Sequence, residues 1–249
     1  MTISMKSLLF AAALMTSISA NAGVQVDRTR VIYPVGAREV SIGLVNKGTS
    51  PSLVQTWVDA GDPKSRPKDI KDVPFVVTPP LTRIDGGLGQ SLRLSYLGHD
   101  APTDRESLYY LNVLDIPAQP REGNNASTEN ITATLQFSVR NRFKVFLRPK
   151  GLPGSPGDAV KSLTWRSFRE DGQAGLLAIN PTPYYVSVAS LQIPGMGKVE
   201  ASLVVPPKGQ AHVALPRSLA DGAAFTVTSV NDYGAVVDTP ASLDSADSH

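Results

Sequence analysis

Residues 131–139 read ITATLQFSV, and apolar and polar side chains alternate over the whole segment. A β-strand places successive side chains on opposite faces, so this segment predicts a strand with a single apolar row. The pattern fits an ordinary core strand of a β-sandwich equally well, so its meaning depends on its surroundings. The row consists of Ile131, Ala133, Leu135, Phe137 and Val139.

The predicted strand runs directly into a basic stretch that contains Arg140, Arg142, Lys144 and Arg148. Most domains keep such a density of cations on an exposed loop rather than along a strand. An apolar row that ends in cations favours an interpretation as a receptor for the end of a partner chain.

Short β-type runs separated by Gly, Pro, Asn and Asp recur along the chain, and helical periodicity is nearly absent. This pattern is typical of all-β sandwiches. We expect a first immunoglobulin-like domain over 23–148 with a last strand at 131–147, a stiff helix-free linker at 149–157, and a second immunoglobulin-like domain over 158–239 before a frayed tail at 240–249. The other predicted strands are 24–33, 38–46, 52–60, 74–78, 90–97 and 107–115 in the first domain, and 161–168, 174–180, 184–193, 200–205, 210–215 and 224–230 in the second.

Residues 1–22 have the pattern of a secretory signal peptide. Lys6 precedes an apolar run from Leu8 to Ile18, and the small-x-small sequence Ala20-Asn21-Ala22 follows. The apolar run is too short to span a bilayer, so cleavage after Ala22 and export of the mature chain are expected. No later stretch approaches the length of a membrane helix, and membrane insertion is not expected.

Composition narrows the set of partners and cofactors. The chain has 249 residues, no cysteine and a formal net charge of +2, so its stability has to come from burial and not from disulfides. This charge is too small to indicate nucleic acid as a partner. The three histidines are His99, His212 and His249, and no metal, nucleophile or phosphate-binding motif occurs. We therefore expect no cofactor, no metal and no enzymatic activity.

Five blocks of sequence resemble the periplasmic pilus-assembly chaperones of the PapD-like family, and they occur in the order found in that family. They cover both halves of the mature chain, so the resemblance extends over nearly all of it. The blocks are VDRTRVIY (26–33), DRESLYYLN with the following IP (104–112 and 116–117), KVFLRP (144–149), NPTPYY (180–185) and NDYG (231–234).

The resemblance implies two immunoglobulin-like β-sandwich domains in an L-shaped, boomerang arrangement. Such a chaperone captures pilus (fimbrial) subunits in the periplasm and passes them to an outer-membrane usher. The subunit lacks its last strand, and a chaperone strand fills the exposed groove by donor-strand complementation. In this chain the matching donor positions are Leu135, Phe137 and Val139, with Ile131 and Ala133 extending the row.

The resemblance also implies roles for five charged residues. Arg30 and Lys144 match the two cations that anchor the terminal carboxylate of the subunit in the cleft between the domains. Glu106, Arg148 and Asp232 match a charged network that holds the interdomain angle.

Two other classes of function remain open from the residues alone. One is a secreted β-sandwich adhesin or carbohydrate-binding module, and the other is a hydrolase on the same fold. A further hypothesis concerns the free protein, which we expect to self-associate because an exposed apolar edge favours pairing with a second copy. Residues 117–130 are expected to form a long loop that lacks the cysteine pair found in some relatives.

Overall fold

The computed structural model describes residues 23–70, 73–98, 101–118, 136–170 and 172–244. Ile131, Ala133, Leu135 and the predicted signal peptide lie outside these ranges, as does most of the predicted loop at 117–130. Among the residues described, no helix is long and apolar enough to cross a bilayer.

The first domain is a sandwich of two sheets. One sheet has the strand order β1-β3-β7-β5, and the other has the order β2-β9-β8-β4-β6. Alternation produces the core, as in β7, where Leu92 and Leu94 are buried while Ser91 and Arg93 are exposed. The strands are β1 (Val24–Val26), β2 (Arg30–Pro34), β3 (Val40–Asn46), β4 (Ser52–Asp59), β5 (Phe75–Thr78), β6 (Leu81–Ile84), β7 (Gly89–Tyr96), β8 (Ser107–Pro117) and β9 (Val139–Arg148).

The second domain is a smaller sandwich with strand orders β10-β11-β14 and β13-β12-β15-β16. Its core contains Trp165 and Phe225, whose rings pack edge to face with centroids 5.4 Å apart. A short helix, α1 (Pro156–Ala159), precedes the sheets. The strands are β10 (Thr164–Glu170), β11 (Gln173–Asn180), β12 (Val186–Ile193), β13 (Gly197–Val205), β14 (Gly209–Leu215), β15 (Ala224–Val230) and β16 (Val236–Ser242). The predicted all-β fold of two sandwiches is therefore confirmed.

The predicted strand at 24–33 is wrong as a single element. The Asp27 carboxylate accepts hydrogen bonds from the Gly43 N–H at 3.0 Å and from Arg28 at 2.7 Å, and the chain bends there. As a result β1 pairs with β3 in one sheet, whereas β2 pairs with β9 in the other. The bend carries Arg30 to the sheet that contains the basic strand.

The predicted strand at 131–147 is wrong at residues 136–138, and its first five residues, 131–135, lie outside the described residues. The structure begins β9 at Val139, which pairs with Asp115, and β8 ends two residues later at Pro117. Among the described residues, no strand pairs with residues 136–138, which lie beyond the end of β8 and are not β-structure. Phe137 therefore lies just outside the sheet.

Two further boundaries differ from the predictions. The segment at 149–157 is not helix-free, because Ser155 caps α1 by accepting the Asp158 N–H at 3.2 Å, with Pro156 at the first helical position. The tail is not frayed from Pro240, because β16 pairs with β15 as far as Ser242 and Leu243 is 3% exposed.

The two domains meet at a turn between β15 and β16. Gly234 in this turn has φ +83°, and a Cβ at its position would lie 2.4 Å from Oγ1 of Thr29 in the first domain. Lys208 and Asp104 add an exposed ion pair across the junction, with a Nζ–Oδ2 distance of 2.6 Å. Only a residue without a side chain permits this approach of the turn to Thr29.

We therefore expect Gly234→Ala to destabilise the junction. Gly222→Ala is the matched control, because Gly222 also has a positive φ, +70°, but nothing lies within 4 Å of its Cβ position. Both variants carry the backbone strain, and only Gly234→Ala adds overpacking, which costs about 1–3 kcal/mol. Chemical unfolding should show this difference, and Thr29→Ala should recover part of it. Equal losses in the two glycine variants would contradict this account of the junction.

Candidate functional site: a cationic cleft between the domains

One face of β9 carries Val139, Asn141, Phe143, Val145 and Leu147, so it is apolar except at Asn141, and it runs out of the first domain into solvent. Val145 and Leu147 are fully buried in the core, and Phe143 packs against it. Further toward the start of the strand, Val139 is 51% exposed and Phe137 is 67% exposed. The structure thus places two of the five predicted row residues at the surface, and the other three lie outside the described residues.

The opposite face of β9 carries the basic residues, but two of them are bound within the first domain. Arg142 donates to both carboxylate oxygens of Asp59, at 2.5 and 3.2 Å, and its guanidinium stacks on Tyr110. Arg140 donates to Asn112 Oδ1 at 2.6 Å and covers the ring of Trp57. Arg140 and Arg142 therefore do not form part of an open cationic receptor.

Sequence reasoning missed Asp59 and Asn112, the buried partners of these arginines. Asp59 is 3% exposed and Asn112 is fully buried, and the Asn112 amide donates to Asp59 Oδ2 at 2.7 Å. Each lies on a different strand and far from β9 in sequence. Their polar side chains within otherwise apolar runs were the only available signal.

Arg30 and Lys144 lie side by side, because β2 and β9 are parallel and these two residues are direct register partners. Arg30 is only 9% exposed. Its Nη1 donates to the carbonyl oxygen of Val230 in the second domain at 2.6 Å. Its Nε is buried and has no hydrogen-bond partner among the described residues.

The surroundings of Arg30 and Lys144 disfavour the charged form of each side chain. Burial lowers the pKa of Arg30, and the nearby Asp232 only partly opposes this effect. Burial also lowers the pKa of the Lys144 amine, and the charge of Arg30 lowers it further. Neither residue forms an ion pair with an acidic side chain in the part of the chain that the structure describes. An anion placed between them would therefore be favoured.

Arg148, the last residue of β9, binds acidic residues from both domains. Its Nε donates to Glu106 Oε1 at 2.5 Å, and Nη1 and Nη2 donate to the two oxygens of Asp232 at 2.7 and 3.1 Å. Burial lowers the pKa of Arg148, but its bonds to Asp232 and Glu106 outweigh that effect and raise it. The structure thus brings the three predicted network residues into one cluster.

Glu106 also contacts the second domain directly. Its Oε2 accepts the N–H of Tyr185 at 2.7 Å, and its own N–H donates to the Pro183 carbonyl at 3.0 Å. Burial raises the pKa of the Glu106 carboxyl, and the charge of Arg148 opposes the rise. The Tyr185 ring also packs on Phe146, with centroids 5.8 Å apart.

These residues surround a cleft of about 300 Å³ between the domains. Arg30, Glu106, Arg148 and Asp232 line it, while Lys144 adjoins Arg30 and is not a lining residue. Sequence reasoning missed further polar lining residues, although the blocks at 180–185 and 231–234 lie beside them. They include Ser187, whose buried Oγ has no hydrogen-bond partner among the described residues, and Ser229, whereas the lining residue Asn231 belongs to the block at 231–234 itself. Within the described ranges, no group of three or more metal-ligating side chains occurs.

Comparison with known proteins agrees with this architecture. The family described as "Pili and flagellar-assembly chaperone, PapD N-terminal domain" matches residues 23–153, and "Pili assembly chaperone PapD, C-terminal domain" matches residues 158–241. Together the two matches cover most of the chain.

Individual relatives match along nearly their whole length. The probable fimbrial chaperone YadV of Escherichia coli is 36% identical, over 95% of this chain and 96% of its own. The chaperone protein HifB of Haemophilus influenzae is 38% identical, over 94% and 95%. The SafB chaperone of Salmonella enterica, solved in complex with the SafA pilin, has a TM-score of 0.73 at 29% identity, over 89% of this chain and 96% of its own.

The predicted resemblance is therefore confirmed, and it settles the class of protein. The family consists of assembly chaperones and not of enzymes, which agrees with the prediction of a non-enzymatic chain. The two family models match the two domains that form the cleft. This chain therefore belongs to the PapD-type family of pili assembly chaperones.

Proposed function

We propose that this protein captures pilus subunits in the periplasm by donor-strand complementation and delivers them to an outer-membrane usher. The observation that carries the proposal is that Lys144, on the strand that presents Val139 with Phe137 just before it, lies directly beside Arg30 of the neighbouring strand β2. A solved relative, SafB, is described in complex with a pilin, which supports a pilin as the partner here.

The exposed row would supply most of the binding free energy. Burial of a large apolar side chain contributes about 1.5–3 kcal/mol, and Phe137 and Val139 are both more than half exposed in the free protein. Ile131, Ala133 and Leu135 would extend the row into the subunit. In this proposal the subunit groove, itself an exposed apolar surface, is covered at the same time.

The paired cations would bind the terminal carboxylate of the subunit. A carboxylate accepts several hydrogen bonds, and the Nε of Arg30 has a donor to spare. Five residues of strand separate Lys144 from Val139, or about 17 Å. A carboxylate held at Lys144 would therefore set the register along β9, and a shift by one residue would turn the row away from the subunit.

The Arg148 cluster would hold the cleft open at the correct angle. Its bonds join the end of β9 to Asp232 in the second domain and to Glu106 beside β8. Its role in this proposal is positional, because its donors are already bound to carboxylates. Location in the periplasm follows from cleavage after Ala22, which is part of the same proposal.

Capture of the subunit should depend on both cations. We expect Arg30→Ala and Lys144→Ala each to weaken subunit binding by tenfold or more, since a charge-assisted hydrogen bond contributes about 1.5–3 kcal/mol. Arg83→Ala is the control, because Arg83 is an exposed first-domain cation that pairs with Asp85. The measurement is co-purification of the pilin-like partner from periplasm with each folded variant. Equal recovery by all variants would reject the anchor, and no partner even with wild type would favour an adhesin.

Binding should also weaken in alkaline solution. Because the pKa of Lys144 is lowered, the free protein loses this charge at a lower pH than an ordinary lysine does. The carboxylate needs the ammonium form, so affinity should fall as the pH rises through that pKa. Lys144→Arg keeps its charge and should remove the alkaline loss. Calorimetric titration of a subunit over an alkaline pH series measures both, and parallel curves for the two proteins would contradict the assignment.

A further inference from the structure

Asp115 on β8 has an unusual environment for a carboxylate. The residue is 4% exposed, and its Oδ2 accepts the N–H of Val24, the first residue of β1, at 2.8 Å. Its Oδ1 is buried and has no hydrogen-bond partner among the described residues. Burying a carboxylate oxygen without a partner costs free energy. A hydrogen-bond donor or a cation next to Asp115 would therefore stabilise the fold.

Gly23 lies against this carboxylate. A Cβ at Gly23 would be 2.3 Å from Asp115 Oδ2, so no other residue fits without displacing the carboxylate. The Gly23 carbonyl accepts the Lys47 N–H at 3.3 Å, which holds the residue from its other side. Standard backbone geometry then places the nitrogen of Gly23 within about 5 Å of Asp115 Oδ2.

The sequence places the expected cleavage site directly before this glycine, at Ala20-Asn21-Ala22. Hydrolysis of the Ala22–Gly23 peptide bond by a signal peptidase consumes one water. It leaves a carboxylate on Ala22 and an amine on Gly23. An α-amine has a pKa of about 7.7–8.0, so the new group is largely protonated at neutral pH. Before cleavage the same nitrogen is an uncharged amide.

We propose that removal of residues 1–22 creates an ion pair between the α-ammonium group of Gly23 and Asp115. The inference rests on the cleavage that forms part of the proposed function. The pair ties β1 to β8, which belong to opposite sheets of the first domain. Asp115 is also the register partner of Val139, so the pair stabilises the fold where the exposed row leaves it.

The test is a double-mutant cycle on protein purified from periplasm, after its intact mass has been measured. The Gly23 amine is converted to an aldehyde, a glyoxylyl group, by pyridoxal phosphate transamination, which removes the charge. In wild type we expect the melting temperature to fall by about 2–4 °C. In Asp115→Asn, which keeps an acceptor for Val24, the same modification should cause no fall. Asp62→Asn is the control, because Asp62 lies in an exposed turn of the same domain, and it should respond like wild type.

An equal fall in wild type and Asp115→Asn would overturn the ion pair, as would no fall in wild type. A mass showing a chain that starts at another residue would overturn it too. Subunit capture is measured on the same unmodified sample. Failure of the proposed function can therefore be distinguished from failure of the ion-pair proposal. A protein that starts at Gly23 and shows the coupled loss, but captures no subunit, rejects the proposed function and leaves the ion pair standing.

Discussion

The guanidinium of Arg148 binds two carboxylates that belong to different domains, and the geometry of the cleft depends on this contact. Asp232 comes from the turn between β15 and β16, and Glu106 immediately precedes β8. The Glu106 side chain is buried, whereas those of Arg148 and Asp232 are 20% and 27% exposed, so removing one partner should cost less than the roughly 3–5 kcal/mol of a fully buried pair. Arg148 is the last residue of β9, and Lys144 lies earlier in the same strand. The same contact therefore fixes the position of Lys144 and of Arg30, its neighbour on β2.

Strand β9 therefore contributes to the structure at three positions. Its end joins the domains through Arg148, its middle presents Lys144 beside Arg30, and its beginning presents Val139 next to Phe137. Arg140 and Arg142 stabilise the strand between these positions through Asn112 and Asp59. The length of a strand per residue is nearly constant. The distance from the cleft to the exposed residues Val139 and Phe137 is therefore nearly fixed.

Alternation was sufficient to predict two sandwiches, because buried rows such as Leu92 and Leu94 repeat with a period of two. The edge strands β6 and β16 were missed, since Leu81, Val236 and Val237 are exposed and the alternation there carries no signal. The switch of sheets at Asp27 was missed because it depends on one side chain bonding to Gly43. The sequence blocks contain Arg30, Lys144 and Arg148, which lie in or beside the cleft, whereas the contacts of Asp59, Asn112 and Ser187 were not predicted. Their partners are distant in sequence and adjacent only after folding.

In the proposed mechanism, Arg30 and Lys144 hold the terminal carboxylate of a subunit at the edge of the cleft. The most direct measurement compares the affinity of a subunit with a free C-terminus against one whose terminal carboxylate is converted to an amide. The account predicts a loss of tenfold or more with the amide in wild type, and a much smaller difference between the two subunits in Lys144→Ala. Equal affinity of wild type for the two subunits would contradict it.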